Sequence, residues 1–261
     1  MKILSLFALI AIATSSPLHA QEMSLKSGVY PIKTYKNTEV RFDNPSQIMK
    51  GGTTMLADLD IVLDGLKAGQ KSETLTYPDA EVMIIVTSGS RLRINVGGQV
   101  KIISDGGVAL AVAGDKLTLE NLGNADVTYF VLKFTPKSRP SADRTIKSQG
   151  SFVVPWGATT FKPHDRGGRR DIFDRATNLF ERFEMHVTTL NEGLSSHDPH
   201  KHNAEEIILL KRGKAEMLIG GEHMKMDTWD VAFLDSQVLH GITNGGTGER
   251  EYYAFQWEVT K

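Results

Sequence analysis

The stretch Ala80-Glu-Val-Met-Ile-Ile-Val-Thr-Ser-Gly89 aligns without gaps with Ala204-Glu-Glu-Ile-Ile-Leu-Leu-Lys-Arg-Gly213. Each stretch is an apolar run that ends at a glycine, and each precedes a second apolar run followed by a Gly-Gly pair. Further along the chain, Asn121-Leu-Gly corresponds to Asn244-Gly-Gly. Internal similarity of this extent predicts two copies of one domain.

Both copies have the residue pattern of β-strands. Short runs rich in β-branched and aromatic residues lie at 81–86, 92–96, 127–132 and 251–257, and turns rich in Gly and Asn separate them. Few segments show helical periodicity. Many short strands with frequent turns predict an all-β fold of the sandwich or barrel type.

The composition narrows the classes of partner. The 261 residues include 30 Lys and Arg against 31 Asp and Glu, so the formal charge is -1. A nearly neutral chain lacks the basic surface that binds nucleic acid or an anionic membrane, and we expect a small-molecule partner. Cysteine is absent. This excludes a thiol nucleophile, a disulfide framework and a thiolate metal site, so any metal must be held by His, Asp, Glu, Asn or Gln.

The first 20 residues have the pattern of a signal peptide. Lys2 precedes an apolar run at 3–13, and a stretch of small and polar residues ends at Ala20. An 11-residue run is too short to span a bilayer, which takes about 20 residues. We therefore expect cleavage near Ala20 and export to the periplasm. The predicted boundaries are a signal peptide at 1–20, a first β domain at 21–134, a linker rich in Pro, Ser, Lys and Arg at 135–175, and a second β domain at 176–261.

Four residues of the second copy have the chemistry and spacing of a metal site. His200 and His202 are two residues apart and share one face of an extended strand. Glu206 follows at the start of the next apolar run, and His240 can add a third imidazole. Three nitrogen ligands and one carboxylate suit a divalent first-row metal. The competing interpretation is a solvated polar loop with Glu206 as an exposed strand residue.

The arrangement His-x-His-x3-Glu-x6-Gly, followed by His-x3-Asn, resembles the two signature motifs of the cupin superfamily. The resemblance implies two tandem cupin barrels, also called jelly rolls or double-stranded β-helices. It further implies that His200, His202, Glu206 and His240 bind the metal, for which we expect Mn or Fe, with Zn or Ni as alternatives. This sequence departs from the family at turn positions: Gly193 lies one residue farther from the first His, and Asp235 and Gln237 replace Pro and Gly.

The first copy lacks all four of these residues. In the same alignment the counterparts of the predicted ligands are Thr76, Pro78, Val82 and Leu117. We therefore expect a metal-free N-terminal domain that packs against the second copy or contributes to a homodimer interface.

His186 is the candidate catalytic residue. In the run 183–188, Glu184, His186 and Thr188 alternate with apolar residues and share one face of a strand. If that face lines the barrel, His186 can act as an acid or base. If it does not, His186 is a surface residue. Along 252–257, likewise, either the odd-numbered or the even-numbered residues face the cavity.

Three arginines precede the second copy. Arg166, Arg169 and Arg170 surround a Gly-Gly pair and could bind a carboxylate or phosphate. The nearby acidic residues instead favour an ion-paired loop.

The layout of the chain is similar to that of the ureidoglycine aminohydrolase-type bicupins, most strongly over residues 180–258. In that family the site positions carry Glu, His, His and Gln, so we do not expect ureidoglycine as the substrate. A divalent metal with one carboxylate ligand has a net charge of about +1 and favours a small anionic substrate. The leading hypothesis is an exported metalloenzyme, of aminohydrolase-like, isomerase or dioxygenase type, that acts on a small carboxylate, sugar acid or ureido compound. The alternatives are a non-catalytic cupin that binds a sugar or uronate, and a metal-dependent dioxygenase.

Overall fold

The computed structural model of the chain describes residues 24–32, 45–89, 91–138 and 148–259. The predicted signal peptide at 1–20 lies outside these residues. Apart from a 3-10 helix at Trp156–Ala158, the regular elements in the described residues are β-strands. In the same part of the chain, no helix is long and apolar enough to cross a bilayer.

The strands are numbered in chain order. Up to residue 154 they are β1 (Gly28–Tyr30), β2 (Ser46–Gly51), β3 (Leu56–Leu66), β4 (Glu81–Ser88), β5 (Leu92–Val96), β6 (Gln99–Ile103), β7 (Val108–Ala111), β8 (Leu117–Asn121), β9 (Val127–Pro136) and β10 (Phe152–Val154). The remaining strands are β11 (Lys162–His164), β12 (Gly167–Arg175), β13 (Arg182–Leu190), β14 (Glu205–Arg212), β15 (Lys214–Ile219), β16 (Glu222–Asp227), β17 (Val231–Leu234), β18 (His240–Thr243) and β19 (Arg250–Glu258).

These strands build two barrels, each from one large and one small antiparallel sheet. The N-terminal barrel combines a sheet of order β10-β7-β4-β9-β3-β2 with one of order β6-β5-β8. The C-terminal barrel combines the order β1-β17-β14-β19-β13-β12-β11 with β16-β15-β18. The repeated stretches become β4 and β14, which hold equivalent places beside β9 and β19. The prediction of an all-β fold of the jelly-roll type is confirmed.

The two large sheets pack face to face. Apolar side chains from both sheets form one buried cluster, which we call the inter-barrel core. Phe134 of β9 lies within it, with ring centroids 5.1 Å from Phe183 and 5.3 Å from Trp257. Residues that face away from this core point into one barrel or the other. Both faces of β4 and β14 are therefore buried, which explains why their sequences read as continuous apolar runs.

The barrels also exchange strands. The N-terminal strand β1 pairs with β17 of the C-terminal barrel, whereas β10 pairs with β7 of the N-terminal barrel. The linker prediction is wrong where β10, β11 and β12 lie, at 152–154, 162–164 and 167–175. The Pro- and Arg-rich composition was misleading, since Pro163 lies on the edge strand β11, where proline is tolerated.

A pair of buried glutamates joins the barrels in a pseudo-symmetric manner. Glu81 at the start of β4 accepts a hydrogen bond from the backbone N–H of Leu179, 2.8 Å away, in a turn that leads into the C-terminal barrel. Glu205 at the start of β14 accepts one from the N–H of Met55, 2.9 Å away, in a turn of the N-terminal barrel. In each turn a threonine hydroxyl accepts a bond from the N–H three residues later.

Substituting Glu81 with Gln is expected to flatten the dependence of stability on pH. Burial raises the pKa of Glu81 to about 8, and its Oε2 has no hydrogen-bond partner. Because the folded-state pKa lies above the unfolded value, stability from this group is fully present below about pH 4.5 and is lost as the pH rises through about 8. Thermal unfolding from pH 5 to 9 should show a smaller fall in Tm for the variant. Part of the fall should remain, since burial also raises the pKa of Glu205, to about 7. Parallel curves for the two proteins would contradict the assignment.

Candidate metal centre

Three histidines come together in the C-terminal barrel. His200 and His202 lie in the segment before β14, and His240 is the first residue of β18. The backbones of His200 and His240 are joined by two hydrogen bonds of 3.0 and 2.9 Å. One ring nitrogen of each histidine lies within 4.8 Å of those of the other two. The sequence prediction thus named three side chains that the fold does bring together.

The hydrogen bonds of two of these rings determine which nitrogen is free. His202 Nδ1 lies 2.9 Å from the carbonyl oxygen of Ala204, and His240 Nδ1 lies 2.9 Å from that of Val238. A carbonyl oxygen only accepts, so each Nδ1 carries a proton and Nε2 is the nitrogen of each ring that is left to bind a metal. Backbone carbonyls commonly orient metal-binding imidazoles in this way.

Glu206 faces the same two nitrogens. Its Oε2 lies 3.2 Å from Nε2 of His202 and 3.2 Å from Nε2 of His240. Burial opposes the charge of this carboxylate, but the two imidazoles lower its pKa to about 2. Glu206 is therefore ionised and available as a ligand at neutral pH.

This donor set fits a metal ion. Nε2 of His240 is buried, and its 3.2 Å contact with Oε2 of Glu206 does not have the geometry of a hydrogen bond, although buried polar atoms are nearly always hydrogen-bonded. A divalent cation among three imidazoles and a carboxylate would satisfy that nitrogen and balance the buried negative charge. Without a metal, Nε2 of His202 can carry a proton and donate it to Glu206, because this carboxylate raises the pKa of His202.

His200 is the most exposed of the three histidines. Burial, together with the neighbouring histidines, lowers the pKa of His200, which favours the neutral form that binds metals. The ring of His197 packs edge-on against His200, with the centroids 4.2 Å apart. His197 lies outside the three-histidine group and contributes to the wall of the adjoining cavity.

A cavity of about 430 Å³ lies next to this group. Its walls include the even-numbered residues of β13 and β19, whose odd-numbered neighbours pack into the inter-barrel core. Glu184, Gln256 and Glu206 form a row across β13, β19 and β14. The polar face of the strand that carries His186 thus faces the barrel interior, which is the arrangement that a catalytic role requires.

His186 is oriented by a buried carboxylate. Its Nδ1 lies 2.7 Å from Oε1 of Glu184, and the same oxygen accepts a 2.7 Å hydrogen bond from Nη2 of Arg169. The shared carboxylate oxygen accepts from both side chains, so Nδ1 of His186 is the donor and Nε2 is the nitrogen that faces away from Glu184. Register places His186 opposite Ala254, whose small side chain leaves room for the cavity.

The sequence analysis placed Glu184 beside His186 but did not predict its contact with Arg169. That contact depends on the pairing of β12 with β13, which places Arg169 opposite Thr188. Arg169 also binds Asp171 through a 2.6 Å contact, as the ion-paired interpretation of the arginine-rich loop requires. Arg170 instead stacks on Trp156, outside the cavity.

The N-terminal barrel has apolar side chains at the equivalent positions. Val82 and Leu117 are buried in its interior cluster. The backbone bridge that matches His200–His240 joins Leu75 to Leu117, so the counterpart of His200 is Leu75 and the prediction of Thr76 is wrong by one residue. The segment before β4 is one residue longer than the segment before β14, and a gapless alignment could not reveal this.

Comparison with known proteins identifies relatives by structure alone. No protein-family model matches the chain, and no curated protein sequence is significantly similar to it. Protein YlbA from E. coli is 15% identical, with a TM-score of 0.66 over 94% of this chain and 96% of YlbA. Salicylate 1,2-dioxygenase from Pseudaminobacter salicylatoxidans is 11% identical, with a TM-score of 0.64 over 93% and 87% of the two chains. AerE from Microcystis aeruginosa is 16% identical, with a TM-score of 0.60 over 82% and 96%.

At these identities the similarity establishes the fold, which is the jelly roll of cupin-type proteins. The histidine group described above could bind a metal in a barrel of this class.

Proposed function

We propose that this protein is a metal-dependent bicupin enzyme that acts on a small anionic compound in the C-terminal barrel. The observation that carries the proposal is Nε2 of His240, which is buried without a hydrogen bond and lies near two further imidazoles and the ionised Glu206. His200, His202, Glu206 and His240 would hold one divalent ion, for which Mn or Fe is expected and Zn or Ni are alternatives. Such an ion supplies Lewis acidity to a bound carboxylate or carbonyl group.

The residues around the cavity support proton transfer. His186 is held by Glu184 through Nδ1, so its Nε2 is the nitrogen that can take up or give a proton at a bound substrate. Its strand is separated from that of Glu206 by β19, so the two backbones are about 10 Å apart across the sheet. This separation suits a small molecule with two polar ends, such as a hydroxy acid, a sugar acid or a ureido acid. We assign the site to that class of substrate.

The experiment that tests this function combines metal analysis with a substrate panel. The purified protein is expected to contain one equivalent of divalent metal per chain and to turn over at least one hydroxy, sugar or ureido acid. Binding of a sugar or uronate without turnover would favour a binding protein. Oxygen consumption with a catechol-like acid would favour a dioxygenase, a reaction class that the shared fold with salicylate 1,2-dioxygenase makes worth testing.

Replacing His186 with Ala is expected to lower kcat by about 10²- to 10⁴-fold, the usual contribution of a general acid or base. Metal content should not change, because His186 is not part of the three-histidine group. The matched control is His223→Ala, since His223 is an exposed histidine that contacts Glu216 away from the cavity. An active His186→Ala variant would remove His186 from the mechanism.

Export is also part of the proposal. It is supported by the charged, apolar and small-residue segments of 1–20. Mass spectrometry of the protein from a periplasmic fraction should give an N-terminus near Gln21. An intact Met1 or Lys2 in the mature protein would contradict it.

A further inference from the structure

The short turn 53–56 of the N-terminal barrel contacts two segments that carry predicted metal ligands. The first contact is with Glu205, which precedes Glu206 and points to the opposite face of β14. The Thr53 hydroxyl donates to Glu205 Oε2 over 2.8 Å, and the Met55 N–H donates to Oε1 over 2.9 Å. The indole N–H of Trp257 also donates to Oε2 of Glu205, over 2.9 Å. Both carboxylate oxygens of this fully buried side chain are therefore held, and so is the start of the strand that carries Glu206.

The second contact is with the loop that leads to His240. The Thr54 hydroxyl donates to Oδ2 of Asp235 over 2.9 Å. The N–H of Asp235 donates over 2.8 Å to the hydroxyl of Ser27, next to the exchanged strand β1. Two residues later, the N–H of Gln237 donates to the carbonyl oxygen of His202 over 2.8 Å. Ser27 and Thr54, from the N-terminal part of the chain, thus hold the loop that precedes His240, and the same loop is bonded to the backbone of His202.

We propose that Glu205 and Thr54 are positioning residues through which the metal-free N-terminal barrel sets the geometry of the metal site in the C-terminal barrel. Thr53 and Thr54 are adjacent, so one turn holds both the strand of Glu206 and the loop of His240. This assigns a role to a barrel whose own interior is filled with apolar side chains. The inference rests on the proposed metal site.

The chain supplies its own control. Glu81 makes the equivalent contact in the opposite direction, to the turn at Leu179, but its neighbour on β4 is Val82 rather than a predicted ligand. A variant at Glu81 therefore disturbs the contact between the barrels without touching a strand that carries a ligand. A variant at Glu205 disturbs the contact between the barrels and also alters the strand that carries Glu206.

The test compares Glu205→Gln, Thr54→Val and Glu81→Gln in the full-length protein. Co(II) is the probe, because its visible absorption reports the geometry of its ligands and a chromogenic chelator can measure its affinity by competition. Glu205→Gln is expected to weaken Co(II) binding by about 10- to 100-fold, the usual effect of an outer-sphere partner, and to change the spectrum. Thr54→Val should cost about fivefold, as for the loss of one solvent-exposed hydrogen bond. Glu81→Gln should retain the wild-type affinity and spectrum.

Wild-type affinity and spectrum in Glu205→Gln would overturn the inference, and so would an equal loss in Glu81→Gln, which would indicate a general effect of barrel contact. Thr54 is exposed, so its variant should fold. If Glu205→Gln does not fold, the Co(II) affinity of Thr54→Val tests the inference, and wild-type affinity in that variant would overturn it. Failure of the wild-type protein to bind Co(II) is a separate result, which overturns the proposed metal site and this inference with it.

Discussion

Replacing His240 with Ala is expected to lower metal affinity by more than about 100-fold, beyond the 10- to 100-fold cost of losing an outer-sphere partner. His240 is the most buried of the three histidines, and its Nε2 lies between the other imidazoles and Glu206. Removing the ring deletes one ligand and leaves Glu206 with a single histidine partner. Metal content and titration calorimetry with Mn(II) measure the effect.

The control for this variant is again His223→Ala, which should retain one equivalent of metal. Circular dichroism of metal-free wild type and His240→Ala should show the same folded spectrum, so that a loss of metal is not a loss of fold. Metal retained by the folded variant at wild-type affinity would remove His240 from the ligand set.

Replacing Phe134 with Ala is expected to lower the free energy of unfolding by about 3–5 kcal/mol, the usual cost of deleting a buried aromatic ring. Phe134 is fully buried in the inter-barrel core and makes edge-on contacts with rings of the C-terminal barrel, including Phe183 and Trp257. The deleted ring would leave a void between the two barrels, so both barrels should lose stability together. Denaturation in guanidinium, followed by fluorescence and circular dichroism, measures the change.

Val100→Ala serves as the reference for Phe134→Ala. Val100 lies on the edge strand β6 with 58% of its surface exposed, so we expect a change within about 0.5 kcal/mol. Two separate transitions in Phe134→Ala, with only one shifted, would show that the barrels unfold independently and that the inter-barrel core does not couple them.

Much of the fold was predictable because its signals are local. The repeated apolar runs, the glycines after them and the paired Asn121 and Asn244 all correspond in the two barrels. Each asparagine donates to two carbonyls and accepts from the N–H two residues later. Gly213 has a φ of +95°, a backbone conformation that favours glycine and marks the end of β14.

The predictions failed where partners are distant in sequence. The strands at 152–175 depend on rings such as Phe152 and Phe173, which pack 4.9 Å apart, and their composition alone resembles a linker. At the site, the spacing of His200 and His202 and the resemblance to the cupin motifs together predicted that His240 joins them. The sequence could not predict that Arg169 holds Glu184, or that Thr53 holds Glu205, because these contacts depend on strand order and on barrel packing.

The strand exchange has a consequence for the order in which the protein can be assembled. The N-terminal segment that contains β1 is anchored by a bond between the Ile32 N–H and Asp230, 198 residues away. The N-terminal barrel in turn obtains its edge strand β10 only after residue 154 has been made. Contacts of such long range close large loops and slow folding. The N-terminal barrel can therefore be completed only once β10 has been made, whereas the C-terminal barrel must keep the early strand β1 available until its last strand, which ends at Glu258, has been made.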